Sequence, residues 1–81
     1  MAYMNTHAMS TNNIKKVIIF GTNDFGQLAH YYITNDTYYD VIAFTAHEKY
    51  ISSKIFLDLP VCSFEELRST YPPDQFNLFV P

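Results

Sequence analysis

Apolar residues along this chain follow two rhythms that alternate. Val17-Ile18-Ile19-Phe20 is an unbroken apolar run rich in β-branched side chains. No polar residue interrupts it at every second position, so both faces must be covered, as in a central parallel strand. Lys15 and Lys16 mark its solvated start. Gly21 ends the run, and the period then lengthens. Phe25, Leu28, Ala29, Tyr32 and Ile33 stand at i, i+3, i+4, i+7 and i+8, one face of a helix. Asp24 is the expected N-cap, with Gln27 at capping-box spacing, and Asn35-Asp36 is the expected end. Residues 39–45, "YDVIAFT", predict a second strand built on Val41, Ile42 and Phe44. Residues 46–60 lack a helical period and predict a loop with a short extended piece at 55–57. Ser63 and Glu66 then form a capping box for a second helix whose apolar face is Phe64, Leu67 and Tyr71. Pro72-Pro73 stops that helix. Residues 76–80, "FNLFV", predict a third strand, and Pro81 follows.

The order is β-α-β-α-β, which predicts an α/β fold with a parallel sheet. Right-handed crossovers place the two helices on opposite faces if the second and third strands flank the first. The expected domain is therefore a small three-stranded parallel Rossmann-like sheet, order 2-1-3, over residues 14–81. Residues 1–13, "MAYMNTHAMSTNN", have no periodicity and are expected to be a disordered leader. A topological switch point falls between the first and third strands, and ligands of open α/β sheets sit at such points, outside the carboxyl ends of the strands. Here that is the turn at residues 21–25 on one side and Pro81, beyond Val80, on the other.

Composition narrows the function classes. The 81 residues carry a net charge of −3, and the five basic side chains, Lys15, Lys16, Lys49, Lys54 and Arg68, are scattered. Nucleic-acid binding needs clustered positive charge to displace counterions, so no nucleic-acid partner is expected. No window reaches the ~18 apolar residues of a membrane span, and no basic-then-apolar signal peptide opens the chain. A cytoplasmic protein without a membrane span is the expectation. Cys62 is the only cysteine; it makes neither a disulfide nor a zinc pattern and is expected to be a small, buried apolar residue. A domain this small buries only about 60% of its unfolded surface. A three-stranded sheet also leaves two unpaired edges. A homo-oligomer that uses those edges is one way to stabilise the fold, and an oligomerisation module is one reading of the chain.

The chemistry concentrates in Gly21-Thr22-Asn23-Asp24-Phe25-Gly26, a near miss to G-x-G-x-x-G. The first and third glycines are present; Asn23 replaces the second, which lets a backbone approach a pyrophosphate. Asp24 puts a carboxylate at the positive pole of the helix, where a diphosphate would otherwise sit. Its two readings are a helix cap alone and a cap that also accepts from a ligand hydroxyl or amine. A dinucleotide-binding domain needs an acid about 20 residues past the glycines for the ribose. His47 stands there, with Glu48 one position on. His30, Tyr31 and Tyr32 fall within the first helix, His7 in the leader, and Ser52-Ser53 has no base partner. No catalytic residue and no metal site is expected. The missing glycine and acid weigh against the alternative of an NAD-type dinucleotide-binding fragment of an oxidoreductase.

Four stretches, "KKVIIFGTNDFGQLAHYY", "YDVIAFT", "DLPVCSFEEL" and "YPPDQFNLFV", together resemble the N-terminal domain of the sialic-acid O-acetyltransferase type of sugar acyltransferase, enzymes of bacterial glycan synthesis. The resemblance implies a Rossmann-like domain that binds a UDP-sugar through Gly21, Thr22, Asn23, Asp24, Phe25, His47, Glu48 and Pro81. In that family a left-handed β-helix of hexapeptide repeats follows, binds acetyl-CoA and supplies the catalytic histidine. No hexapeptide repeat occurs here, so the chain corresponds to the front of such an enzyme, with no cofactor of its own.

Overall fold

Val17, Ile18 and Ile19 have no exposed surface, and the whole sheet is arranged around them. They belong to strand β2 (Lys16–Phe20) in a computed structural model that describes residues 2–4 and 15–81. The other elements are β1 (Ala2–Met4), helix α1 (Asp24–Asp36), β3 (Asp40–Ala46), β4 (Ile55–Phe56), β5 (Leu59–Ser63), the short helix α2 (Leu67–Thr70) and β6 (Asn77–Val80). Single 3-10 turns occupy Glu48–Tyr50, Phe64–Glu66 and Pro73–Gln75.

The fold is α/β with a mixed sheet in the order β1-β6-β2-β3-β5-β4. β2 pairs parallel with β3 on one side and with β6 on the other, and β3 pairs parallel with β5. β1 runs antiparallel to β6, and β4 antiparallel to β5. The expected three-stranded, all-parallel sheet is thus too small, and the two edges left open in it are occupied. β1 lies within the expected leader; residues 1 and 5–13 of that leader fall outside the described residues. β5 was expected to be loop. Its Pro60 breaks the strand signal, but the parallel ladder to β3 begins only at Val61, so the missing N–H removes no bond from it. The β4–β5 hairpin turns through Leu57 and Asp58, at φ 52° and 65°. That is the left-handed pair of a type I′ turn without the Asn-Gly that advertises one.

Alternation along β2 splits the core in two. Val17 and Ile19 point to the face that holds Ala29 and Ile33 of α1, with Phe44, Val61 and Phe79. Ile18 points to the other face, with Ala43, Leu67 of α2, Phe76 and Leu78. Each fully buried Val or Ile contributes about 1.5–3 kcal/mol.

The helix is rotated from its expected face. Gly26, Ala29 and Ile33 are buried, whereas Phe25, Leu28 and Tyr32 are exposed. The cause is steric. Gly26 lies directly against the carbonyl of Gly21, and a Cβ there would collide with that oxygen and stand 2.9 Å from its carbon. The side of the helix that carries the smallest residues therefore faces the strand. At the far end the Thr37 hydroxyl donates to the Ile33 carbonyl (2.6 Å) and the Asn35 amide to that of Tyr31 (2.7 Å), closing the helix without a glycine cap.

Among the described residues no helix is long and apolar enough to cross a membrane. Gly26→Ala is expected to lower stability by about 1–3 kcal/mol through overpacking, despite alanine's better helix propensity. A urea unfolding midpoint that drops on this substitution, with the slope unchanged, is the expected result.

Candidate functional site at the carboxyl edge of the sheet

β2, β3 and β6 all end on the same edge because they are parallel. Gly21, with φ 123°, turns the chain out of β2 in a conformation that L side chains rarely adopt. Its N–H donates to the Thr45 carbonyl at 2.8 Å, which ties the turn to β3. Ile19 pairs with Phe79, so Val80 and Pro81 run out beside Phe20 and Gly21. α1 packs on one face of the sheet and α2 on the other.

The helix cap differs from the expectation. Asn23, not Asp24, is the N-cap: its Oδ1 accepts from the N–H groups of Phe25 and Gly26, both at 3.1 Å, while its carbonyl accepts from Gln27 at 3.0 Å. An extended backbone at residue 23 (φ −113°, ψ −164°) lets the side chain fold back over the first turn. Asp24 is then the first helical residue, exposed, with a carboxylate at the positive end of the helix. Two of the amides that a phosphate would use are already bonded. Phe25 was expected in the helix core; it is 68% exposed and projects from the turn, because the Gly26–Ala29–Ile33 side faces the sheet.

His47 and Glu48 follow β3 directly. His47 Nδ1 lies 3.0 Å from Glu65 Oε2, and Glu65 Oε1 accepts from the Glu48 N–H at 3.1 Å. Phe20 and Phe64 both meet the imidazole edge-on, with ring centroids 5.5 Å away and interplanar angles of 79° and 74°. The two phenyl rings also meet each other at 5.2 Å. His47 is thus held on three sides and half-exposed on the fourth. The hydrogen bond with His47, then that from the Glu48 backbone, holds the Glu65 carboxyl below its ordinary range. His47, Glu48, Lys49 and Glu65 line a shallow hollow of about 650 Å³.

The turn at residues 21–25, His47, Glu48 and Pro81 thus share one edge. Glu65, Phe20 and Phe64 were not foreseen. Glu65 stands 18 positions from His47, and only the pairing of β3 with β5 carries the 3-10 turn to it. The one available signal was an acid in the first turn of the second predicted helix, where Ser63 Oγ does accept from the Glu66 N–H (3.2 Å). Cys62 is partly buried and packs against the α2-side core. Burial pushes its thiol up, with a smaller opposing effect from Thr45, so it stays protonated at neutral pH. Among the described residues no group of three or more His, Cys, Asp or Glu side chains is placed to hold a metal ion. Comparison with protein-family models, with curated proteins and with solved structures returns no match.

Two outcomes test this geometry. Glu65 should titrate below the ordinary glutamate value of about 4.3, followed by carbon NMR, and should move up in His47→Phe. A lowered folded-state value makes the Glu65 contribution complete above the unfolded-state value and lost as pH falls through the folded-state value. Asn23→Gly should free the Phe25 and Gly26 amides at a cap cost of only a few tenths of a kcal/mol. With Asp24→Asn added to remove the repelling carboxylate, inorganic phosphate should shift those two amide resonances, and in the parent chain it should leave them unmoved.

Proposed function

We propose that this chain is a recognition domain for a nucleotide-sugar, of the kind that precedes a bacterial sugar O- or N-acetyltransferase, and that it has no catalytic activity by itself. The observation that carries the reading is the Gly21 turn. A glycine at φ 123° joins the most buried strand to a helix at the carboxyl edge, beside the end of β6. Such a crevice is where open α/β sheets receive nucleotides. We read β3-β2-β6, with α1 and α2 on opposite faces, as a Rossmann-like half extended by β1 and β5. The four segments that resemble the acyltransferase family support the same reading, since the residues they imply for a UDP-sugar all fall at this edge.

The ligand is held differently from a dinucleotide. Asn23 fills part of the phosphate position and Asp24 repels a diphosphate there, which leaves hydrogen bonds to the base and the sugars, and the exposed Phe25 ring, as the main contacts. Acetyl-CoA and the catalytic base belong to the β-helix of the full-length family, and none of the histidines here takes that role.

Calorimetric titration with UDP-N-acetylhexosamines and UDP-4-amino-sugars tests the proposal, with NADH as the control. Saturable heat with a UDP-sugar and none with NADH is expected, and Gly21→Val should remove the heat. A folded chain that takes up no UDP-sugar at millimolar concentration contradicts it.

A further inference from the structure

We propose that the His47–Glu65 pair reads a ribose hydroxyl of the ligand, with His47 Nε2 as the hydrogen-bond acceptor. The inference rests on the nucleotide-sugar reading above and gives this pair the task of the strand-end carboxylate in dinucleotide-binding domains.

Both oxygens of Glu65 are engaged, one by His47 Nδ1 and one by the Glu48 N–H. A carboxylate held this way accepts only, so neutral His47 carries its proton on Nδ1. Nε2 is then a bare lone pair, and it has no partner among the described residues. The ring cannot swing freely to hide it, because Phe20 and Phe64 pack edge-on against it. An acceptor fixed in direction before the ligand arrives is what selects a donor group.

The surroundings favour a hydroxyl over a phosphate. Glu48 and Glu65 line the same hollow against the single cation Lys49, and Asp24 stands at the neighbouring turn. An anion meets repulsion there, whereas a neutral diol does not. Position matters as well. His47 comes two residues after Thr45, whose carbonyl holds the Gly21 N–H, and its ring touches Phe20, the residue before Gly21. The acceptor therefore stands beside the turn, at the end of the strand next to the central one. A purely structural clasp between the segment after β3 and the turn after β5 would need the Glu65 bond but would be indifferent to ligand hydroxyls.

The test titrates the whole chain with UDP, 2′-deoxy-UDP and 3′-deoxy-UDP. One deoxy analogue should bind about five- to tenfold more weakly than UDP, the loss of one hydrogen bond. His47→Phe, which keeps an aromatic ring between Phe20 and Phe64, should bind all three alike. Long-range nitrogen–proton NMR should show His47 protonated at Nδ1 in the parent chain and shifted towards the Nε2 form in Glu65→Gln; this readout does not depend on ligand. Equal binding of UDP and both deoxy analogues overturns the hydroxyl role and leaves the nucleotide-sugar reading intact. An Nε2-protonated His47 in the parent chain overturns it on structural grounds alone. Failure of UDP and of every UDP-sugar to bind overturns both.

Discussion

The contact between Gly26 and the carbonyl of Gly21 sets the geometry of this domain. No side chain fits between them, so α1 lies directly over the end of β2. Everything at the carboxyl edge follows from that approach. The helix presents Ala29 and Ile33 to the sheet, turns Phe25 outward, and starts so soon after the strand that the side chain of Asn23 must cap it. Gly21 meets a different demand: space for a Cβ exists there, but its φ of 123° is a backbone conformation that L side chains rarely adopt, and it lets the chain leave the sheet at once. Two glycines five residues apart, one by its backbone conformation and the other by the absence of a side chain, thus make a turn that would otherwise take a longer loop.

The sheet then supplies the second partner of the site. β3 ends beside β2 and delivers His47, and β5, pairing with β3, delivers Glu65. Neither residue has any local reason to find the other. Their meeting depends on the strand order, which in turn depends on β2 being buried on both faces and therefore central. The phenyl rings of Phe20 and Phe64 finish the arrangement by fixing the imidazole plane. Apolar packing orients a polar group here, and the polar group faces the solvent side of the edge.

What was legible in the chain was whatever local pattern decides. The unbroken run at 17–20, the glycine that ends it, the helix to Asp36, the β-rich 39–45 stretch and the Ser63 cap all announce themselves within a few residues. The helix face was misjudged because periodicity weighs Phe25, Leu28 and Tyr32 by their apolarity, while close packing chose the small residues 26 and 29. The cap was misplaced by one residue because Asn23 and Asp24 are both good caps, and only the tight turn favours the first. β5 was hidden by Pro60, and the hairpin before it by a left-handed Leu57-Asp58 pair that no turn rule favours. Antiparallel β1 and the His47–Glu65 contact are products of tertiary pairing and leave no local mark.

The central claim is that a nucleotide-sugar is received at the carboxyl edge, and amide NMR mapping of a UDP-N-acetylhexosamine titration addresses it most directly. A second hollow of about 470 Å³ lies between the end of α1 and the β4–β5 hairpin, lined in part by His30, Tyr38 and Leu57, and serves as the internal control. The account predicts that shifts concentrate at residues 21–25, 47, 48 and 80. Shifts confined to residues 30, 37–41 and 57–59, with the Gly21 amide unmoved, would contradict it.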